Sequence, residues 1–392
     1  MLRLSMEKLK EWKANPFRKP LVLRGARQVG KTWLLKYFAK TEFPNYHYIN
    51  FEEDSRLEKI FNTNLNPSII LNELQFYLDK PINIKTDLLI FDEIQRCPRA
   101  LTSLKYFREN IPELALCAAG SLLGIYLNGE SFPVGKVTFL DLHPMTFEEF
   151  LLGTGNEHYV NLLNEQHWSK PLPEIAHIKL WEMWKHYLIT GGMPEVVDQF
   201  RLQQTNLFEA FQKTIIIQKD LIDTFIADIS KHSGKSNAMH IERLWRNIPI
   251  QLAKSLDGSA EKFKFKDAIP GYKSYDRLSA PIDWLEKADL LIRAPIINSI
   301  NTPLESNRKE NRFKLYHFDI GLLSAMNNMS AKTLLNYDFG TYKGYIVENY
   351  IAQELKASGY KKLFCWEGRT SEIEFLLEIG EQVIPIEVKS GY

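Results

Sequence analysis

Leu21-Val22-Leu23-Arg24-Gly25-Ala26-Arg27-Gln28-Val29-Gly30-Lys31-Thr32-Trp33-Leu34-Leu35 is the stretch whose reading decides the fold. Its middle, Gly25 to Thr32, has the spacing GxxxxGK(S/T), after an apolar strand pattern and before a helical run over Trp33–Ala39. The glycines let backbone N–H groups wrap phosphates, and the start of a helix adds its dipole. Lys31 then offers a point charge to β- and γ-phosphates, and the Thr32 hydroxyl is a ligand for Mg²⁺. The expected ATP-binding residues are therefore Gly25, Ala26, Arg27, Gln28, Val29, Gly30, Lys31, Thr32 and Trp33, with Mg²⁺ as the cofactor.

About sixty residues on, Leu88-Leu89-Ile90-Phe91-Asp92-Glu93 reads as a buried strand that ends in two acids. Asp92 at the strand tip suits the Mg²⁺ shell, and Glu93 suits a general base that polarises water. Alone, the pair is equally a cap for the next helix; beside the phosphate loop, the chemical reading takes precedence. A Glu directly after that Asp marks the P-loop class with an extra strand between the two motif strands. Leu116–Ala119 supplies it, and Ser121 follows where a polar sensor would meet the γ-phosphate. A serine in a turn is the other reading of Ser121. Lys31, Glu93 and Ser121 are the expected catalytic residues of an ATPase.

Outward from these motifs, residues 1–150 alternate short apolar runs with helical patterns, which predicts an α/β fold with a mostly parallel sheet. The strands expected are Leu21–Arg24, Tyr48–Phe51, Leu88–Phe91, Leu116–Ala119 and Val137–Leu140. From Met145 to Ile229 the pattern is helical, with Trp181, Trp184, Tyr187 and Leu188 at helix spacing. Short helices and a hairpin around Asn298–Phe318 come next, then a helix from Gly344 and strands at Ile373–Leu377 and Val383–Val388.

With 392 residues, two or three domains are expected. A net charge of +1 gives the whole molecule no field that would mark a nucleic-acid or membrane partner. Residues 230–320 nevertheless hold 16 Lys/Arg against 11 Asp/Glu, leaving 33 against 37 elsewhere. Cys97, Cys117 and Cys365 are scattered without CxxC spacing, which points to the reducing cytoplasm and away from disulfides or zinc. MLRLSMEKLKEWK has no apolar core of a signal peptide, and the most apolar stretch, Leu114–Leu127, is short of the roughly 20 residues that a membrane span needs. No membrane contact is expected.

The runs LVLRGARQVGKTWLL, FDEIQRCP, AGS at 119–121, PMTFEEF at 144–150 and GGMPEVV at 191–197 are similar to those of prokaryotic AAA+/STAND-like ATPases. In that family the C-terminal part is a domain of unknown function similar to PD-(D/E)xK nucleases. The resemblance implies a P-loop ATPase core over 1–145, a helical lid over 146–229, a winged-helix-like domain over 230–330 and a nuclease-like domain, shortened at its end, over 331–392. It also implies that Pro194, in Gly191-Gly192-Met193-Pro194, packs on the adenine; the other reading is a loop whose proline starts a helix. Where the family pattern has an Arg, this chain has Lys136 after Gly135, and Lys cannot make a bidentate finger contact. Oligomeric state is left open by that departure.

In the middle segment Lys262, Lys264 and Lys266 alternate with Phe263 and Phe265, followed by Tyr272, Lys273, Tyr275 and Arg277. Residues 262–277 then either track DNA phosphates and stack on bases, with a recognition helix within Ser274–Leu291 and a wing near Phe313–Tyr316, or form a solvated face for protein contact. Pro281 is expected to break that helix and favours the second reading. Near the end, Glu348 on a helix, Glu374 on one strand and Glu387 with Lys389 on the next resemble the PD-(D/E)xK set, a possible second metal site. Glu374 stands where the family has Asp. The functions these features allow are an ATP-driven switch or motor on DNA or protein, a nucleotide-gated protein-interaction module with slow turnover, and an ATP-regulated DNA nuclease.

Overall fold

The computed structural model describes residues 2–126, 135–166, 169, 171–252, 262–266, 268–272, 274–336, 343–368 and 371–389. It comprises two compact units, 2–143 and 144–392. The first is a parallel sheet of β1 (Leu21–Arg24), β2 (Tyr46–Asn50), β3 (Leu88–Asp92), β4 (Ala115–Ala119) and β5 (Thr138–Asp141), in the order β2-β3-β4-β1-β5. Every residue of β3 and β4 is buried, as the continuous apolar runs require when helices cover both faces. Phe51, Phe61, Phe91 and Phe107 meet edge to face with centroids 5.4–6.1 Å apart, at the centre of one of these layers. The extra strand expected from the Asp-Glu pair is β4, between the phosphate-loop strand β1 and the acid strand β3.

The second unit opens with helices Phe147–Gly153, Glu157–Asn164, Glu174–Thr190, Pro194–Gln203, Leu207–His232, Lys235–Leu252 and Tyr275–Lys287. A second five-stranded sheet follows: β6 (Leu291–Ile297), β7 (Arg308–His317), β8 (Phe364–Glu367), β9 (Glu372–Ile379) and β10 (Gln382–Ile386), in the order β10-β9-β8-β6-β7. Strands from both sides of the sequence-based domain boundary at 330 take part in this sheet. The hairpin read as a wing and the strands read as a separate nuclease-like domain share one sheet, because β6 pairs in parallel with β8 through Ile296–Cys365 and Ile297–Trp366. The reason is burial: β6 hides most of its length, which a free two-stranded ribbon cannot do.

Three local expectations also shift. The hairpin strands flank residues 298–307 instead of starting at Asn298. Helix Tyr275–Lys287 runs on through Pro281, whose buried ring joins the apolar face of Leu278, Ile282, Trp284 and Leu285. Finally, β10 stops at Ile386, so Glu387 and Lys389 lie beyond the strand.

A buried polar network ties the helices of this unit to the sheet. Asp319 caps helix Ile320–Met326 by accepting from Leu322 N–H (2.9 Å) and also accepts from Gly192 N–H (2.7 Å). Asn349 makes a two-way bond with the His317 backbone, and Gln353 joins Ile320 N–H to the Tyr187 hydroxyl. Glu354 accepts from Phe147 N–H at 3.0 Å and from Tyr187 Oη at 3.4 Å. Burial raises Glu354 from 4.5 to about 7; the Phe147 N–H bond opposes that rise, and nearby Glu149 adds to it.

In the folded chain Glu354 therefore keeps a proton between pH 4.5 and about 7 that the unfolded chain has released. Stability from this group is complete at low pH and is lost as pH rises through that window. Glu354→Gln retains an acceptor for Phe147 N–H without the charge. It should stabilise the unit at pH 8 by roughly 2–3 kcal/mol and by almost nothing at pH 4, measured by denaturant unfolding at the two pH values.

Candidate nucleotide site

The phosphate loop leaves β1 at Arg24 and turns at Gly25, whose φ of +146° is open to glycine. A Cβ there would sit 2.0 Å from Leu142 O, because Leu142 N–H bonds Arg24 O at 2.8 Å and continues the β5 pairing past the sheet. The loop ends at Gly30, again left-handed at φ +93°, which is the N-cap of helix Lys31–Glu42. Lys31 is buried and donates to Gly25 O (2.9 Å) and Ala26 O (2.7 Å), curling back over the loop. Ala26 and Val29 are buried in the unit's core, and Trp33 is half-exposed and stacks on Tyr37 at 5.0 Å. From outside the motif Arg3 clamps the loop, donating to Val29 O (2.8 Å) and His143 O (2.6 Å).

Across β4, Asp92 meets the loop directly: Thr32 Oγ1 donates to Asp92 Oδ2 at 2.6 Å. Tyr48 Oη, from the neighbouring strand β2, donates to the same oxygen at 2.8 Å. Burial and the Asp92 carboxylate raise the Tyr48 hydroxyl pKa, so it stays a donor. Glu93 takes a left-handed conformation at φ +51°, and its N–H bonds Asp92 Oδ1 at 3.0 Å. Its carboxylate accepts from Gln95 Nε2 at 2.5 Å, and the same nitrogen lies 3.4 Å from Ser121 Oγ. The structure thus brings Lys31 and Thr32, the acids Asp92 and Glu93, and the buried Ser121 to one end of the sheet. A hydroxyl and a carboxylate oxygen 2.6 Å apart are hard oxygen donors of the kind that Mg²⁺ prefers.

Arg3, Tyr48 and Gln95 were not legible as site residues. Only Tyr48 had a signal, since a polar tip on a strand next to the acid strand is a candidate neighbour. Lys136, at the finger position, pairs with Glu109 at 3.0 Å.

The other candidate residues all lie in the second unit. Pro194 is the first residue of helix Pro194–Gln203, the role of a helix-starting proline. Gly191 and Gly192 are required by packing: a Cβ on Gly192 would lie 2.1 Å from Met145 O, and one on Gly191 would lie 2.4 Å from Asp319 Oδ1. Phe263 and Phe265 face inward onto Phe313 (6.0 and 5.7 Å), so they are not free to stack on bases, whereas Lys262, Lys264 and Lys266 are exposed. Lys273 lies outside the described residues.

The residues expected at a second metal site have protein partners. Buried Glu348 accepts from Tyr316 Oη (3.0 Å) and Lys314 Nζ (3.3 Å), and Lys314 lies 3.4 Å from Glu372. Burial depresses the Lys314 ammonium, but Glu348 and the groups around it outweigh that and leave its pKa raised. Glu374 accepts from Val388 N–H at 3.1 Å, while Lys389 pairs with Glu387 near the surface. Among the described residues no group of three or more His, Cys, Asp or Glu is placed to hold a metal ion. A lysine from β7 supplies the positive charge that a cation would have brought to Glu348.

Residues 17–151 match the family described as AAA domain. The N-terminal part of the chain is thus similar to AAA domains of the P-loop class. Residues 182–333 and 343–392 match two domains of unknown function, DUF8612 and DUF4143. Among solved structures, the chain is similar to a Walker-type ATPase of Pyrococcus abyssi at 16% identity, with 82% of this chain and 94% of that one covered and a TM-score of 0.50. The Orc1 protein of Aeropyrum pernix in complex with DNA matches at 12% identity over 84% and 93% of the chains, with a TM-score of 0.36. The RuvB Holliday junction branch migration motor of Thermotoga maritima matches at 15% identity over 74% and 87%, with a TM-score of 0.34. No curated protein matches the chain. No described helix is long and apolar enough to cross a membrane.

The loop that follows β1 has no room for a side chain at Gly25. Gly25→Ala should cost about 2 kcal/mol or more, because the new Cβ and Leu142 O must separate. Thermal denaturation of full-length protein, with melting unchanged from wild type, would contradict that close approach.

Proposed function

We propose that the AAA domain binds Mg·ATP and hydrolyses it to ADP and phosphate. The observation that carries the reading is the Thr32–Asp92 bond at 2.6 Å, which unites the two motifs at one end of the sheet with Glu93 adjacent. Backbone N–H groups of Gly25–Thr32 wrap the phosphates, and Lys31 leaves the Gly25 and Ala26 carbonyls for the β/γ oxygens. Thr32 and Asp92 hold Mg²⁺, which when bound neutralises charge on those oxygens. Glu93 orients a water and takes its proton as the water oxygen bonds to the γ-phosphorus. The bond from that phosphorus to the β–γ bridging oxygen breaks, and ADP leaves with the electron pair. Ser121 donates to a γ-phosphate oxygen.

Turnover, in this reading, switches how the second unit engages a DNA or protein target. A nucleotide-gated binding module with slow turnover is the alternative; steady-state ATPase assays with and without DNA, beside size-exclusion in ATP, separate the two. Nuclease activity is not part of the proposal, because Lys314 and Tyr316 already engage Glu348.

Lys31→Ala should weaken Mg·ATP binding by about ten- to a hundredfold, since it removes a charge-assisted contact. Glu93→Gln should keep the affinity and lower turnover by roughly 10²–10⁴-fold. Calorimetric titration and phosphate release check both, and wild-type behaviour in either variant would refute the assigned role.

Exposed Lys262, Lys264 and Lys266, set beside inward-facing Phe263 and Phe265, also support phosphate contact without base stacking. Neutralising the three lysines together should reduce the slope of log affinity against log salt for duplex DNA by about 2–3. Fluorescence anisotropy that finds no DNA binding by the wild type at low salt would favour a protein target.

A further inference from the structure

Gln95 lies two residues after Glu93 and has no part in the reaction described above. β3 ends at Asp92, Glu93 turns left-handed, and a short 3-10 turn over Ile94–Arg96 is closed by Arg96 N–H on Glu93 O at 2.9 Å. That turn brings position 95 back under the strand tip, where the side chain is 9% exposed. Its Nε2 faces two functional oxygens at once, Glu93 Oε2 at 2.5 Å and Ser121 Oγ at 3.4 Å. Its Oε1 is buried and accepts no hydrogen bond from the described residues.

A buried acceptor left unmade costs about 1–3 kcal/mol, so an arrangement that keeps one needs a compensating reason. Space alone does not supply it. A Cβ on Gly120 would stand 2.4 Å from Gln95 Oε1, so the chain gives up a side chain at 120 to admit this amide. Reversing the amide would set its oxygen against the Glu93 carboxylate, which is repulsive. Geometry and charge together hold the amide nitrogen between the base and the serine.

We propose that Gln95 is a positioning residue for hydrolysis, with its amide coupling the Glu93 carboxylate to Ser121. The proposal rests on the ATPase reading of this site. When Ser121 donates to the γ-phosphate, its oxygen still accepts from Gln95, and Gln95 still anchors Glu93 Oε2. The other carboxylate oxygen, Oε1, then faces the water and takes its proton. Hydrogen bonds in such a chain polarise one another, so occupancy at Ser121 is felt at the base.

The test measures steady-state turnover, affinity for a fluorescent ATP analogue and melting temperature of the full chain. Gln95→Met matches the length without a donor, and Gln95→Asn keeps an amide one methylene short. Both should hold nucleotide affinity within about twofold while kcat falls roughly ten- to a hundredfold, the loss expected when a base is displaced by about 1 Å. In a Glu93→Ala background, Gln95→Met should change the residual rate by less than about twofold, because the group it positions is gone. The proposal is overturned by unchanged kcat in both variants, by affinity and melting temperature falling in step with kcat, or by an equal loss in the Glu93→Ala background. If the wild type binds ATP without turnover, the ATPase reading fails and this proposal with it. Wild-type turnover that persists in both Gln95 variants removes this proposal alone.

Discussion

One hydrogen bond, Thr32 Oγ1 to Asp92 Oδ2, makes a single site of two motifs about sixty residues apart. β4 separates their strands, so β1 and β3 lie two strand spacings apart, about 10 Å. The phosphate loop spans that gap only because it rises from β1 and lets the next helix begin over the sheet's end. Its path depends on Gly25 passing against Leu142 O, and therefore on β5 continuing beside β1. Register matters as much. β3 and β4 are buried on both faces, and moving β3 by one residue would turn its side chains to the opposite face and withdraw Asp92 from Thr32.

Much of this was legible beforehand, for a chemical reason. Phosphate binding demands backbone N–H groups, a lysine and a hydroxyl at fixed spacing, and Mg²⁺ demands an acid at the tip of a buried strand. Those demands act on residue types close together in the chain. Gln95, Tyr48 and Arg3 answer to geometry instead. Gln95 reaches Glu93 because a left-handed residue and one 3-10 turn double the chain back, and nothing in Asp92-Glu93-Ile94-Gln95 announces that turn. Tyr48 depends on which strand lies next to β3, and Arg3 acts on Val29 and His143 from well before the motif.

The second unit was harder to read because its sheet is assembled from distant segments. The parallel pairing of β6 with β8 joins Ile296 to Cys365, and no local pattern distinguishes it from two separate hairpins. Pro281 misled for a related reason. A proline costs an exposed helix a hydrogen bond, but here the ring is buried on the packed face, so tertiary contact carries the helix through. Periodicity placed Glu387 and Lys389 on one strand, and the strand ends just before them.

Two sets of carboxylates show why residue type alone does not define a site. Asp92 takes hydrogen bonds from the hydroxyls of Thr32 and Tyr48 and from Glu93 N–H, and Glu93 takes one from the Gln95 amide. These neutral donors orient the acids without cancelling their charge, which suits a cation and a water. Glu348 is as deeply buried as Asp92, yet a buried ammonium stands 3.3 Å from it. An ion pair in low dielectric repays its desolvation only when both charges stay matched. A divalent cation there would meet the Lys314 ammonium, which stands 3.3 Å from Glu348 and 3.4 Å from Glu372. The spacing of acids in the C-terminal segment could not show this, because the decisive residue sits on β7, more than thirty positions earlier. The chemistry of each acid is set by whether a charged group stands among its donors, and the sheet chooses those donors.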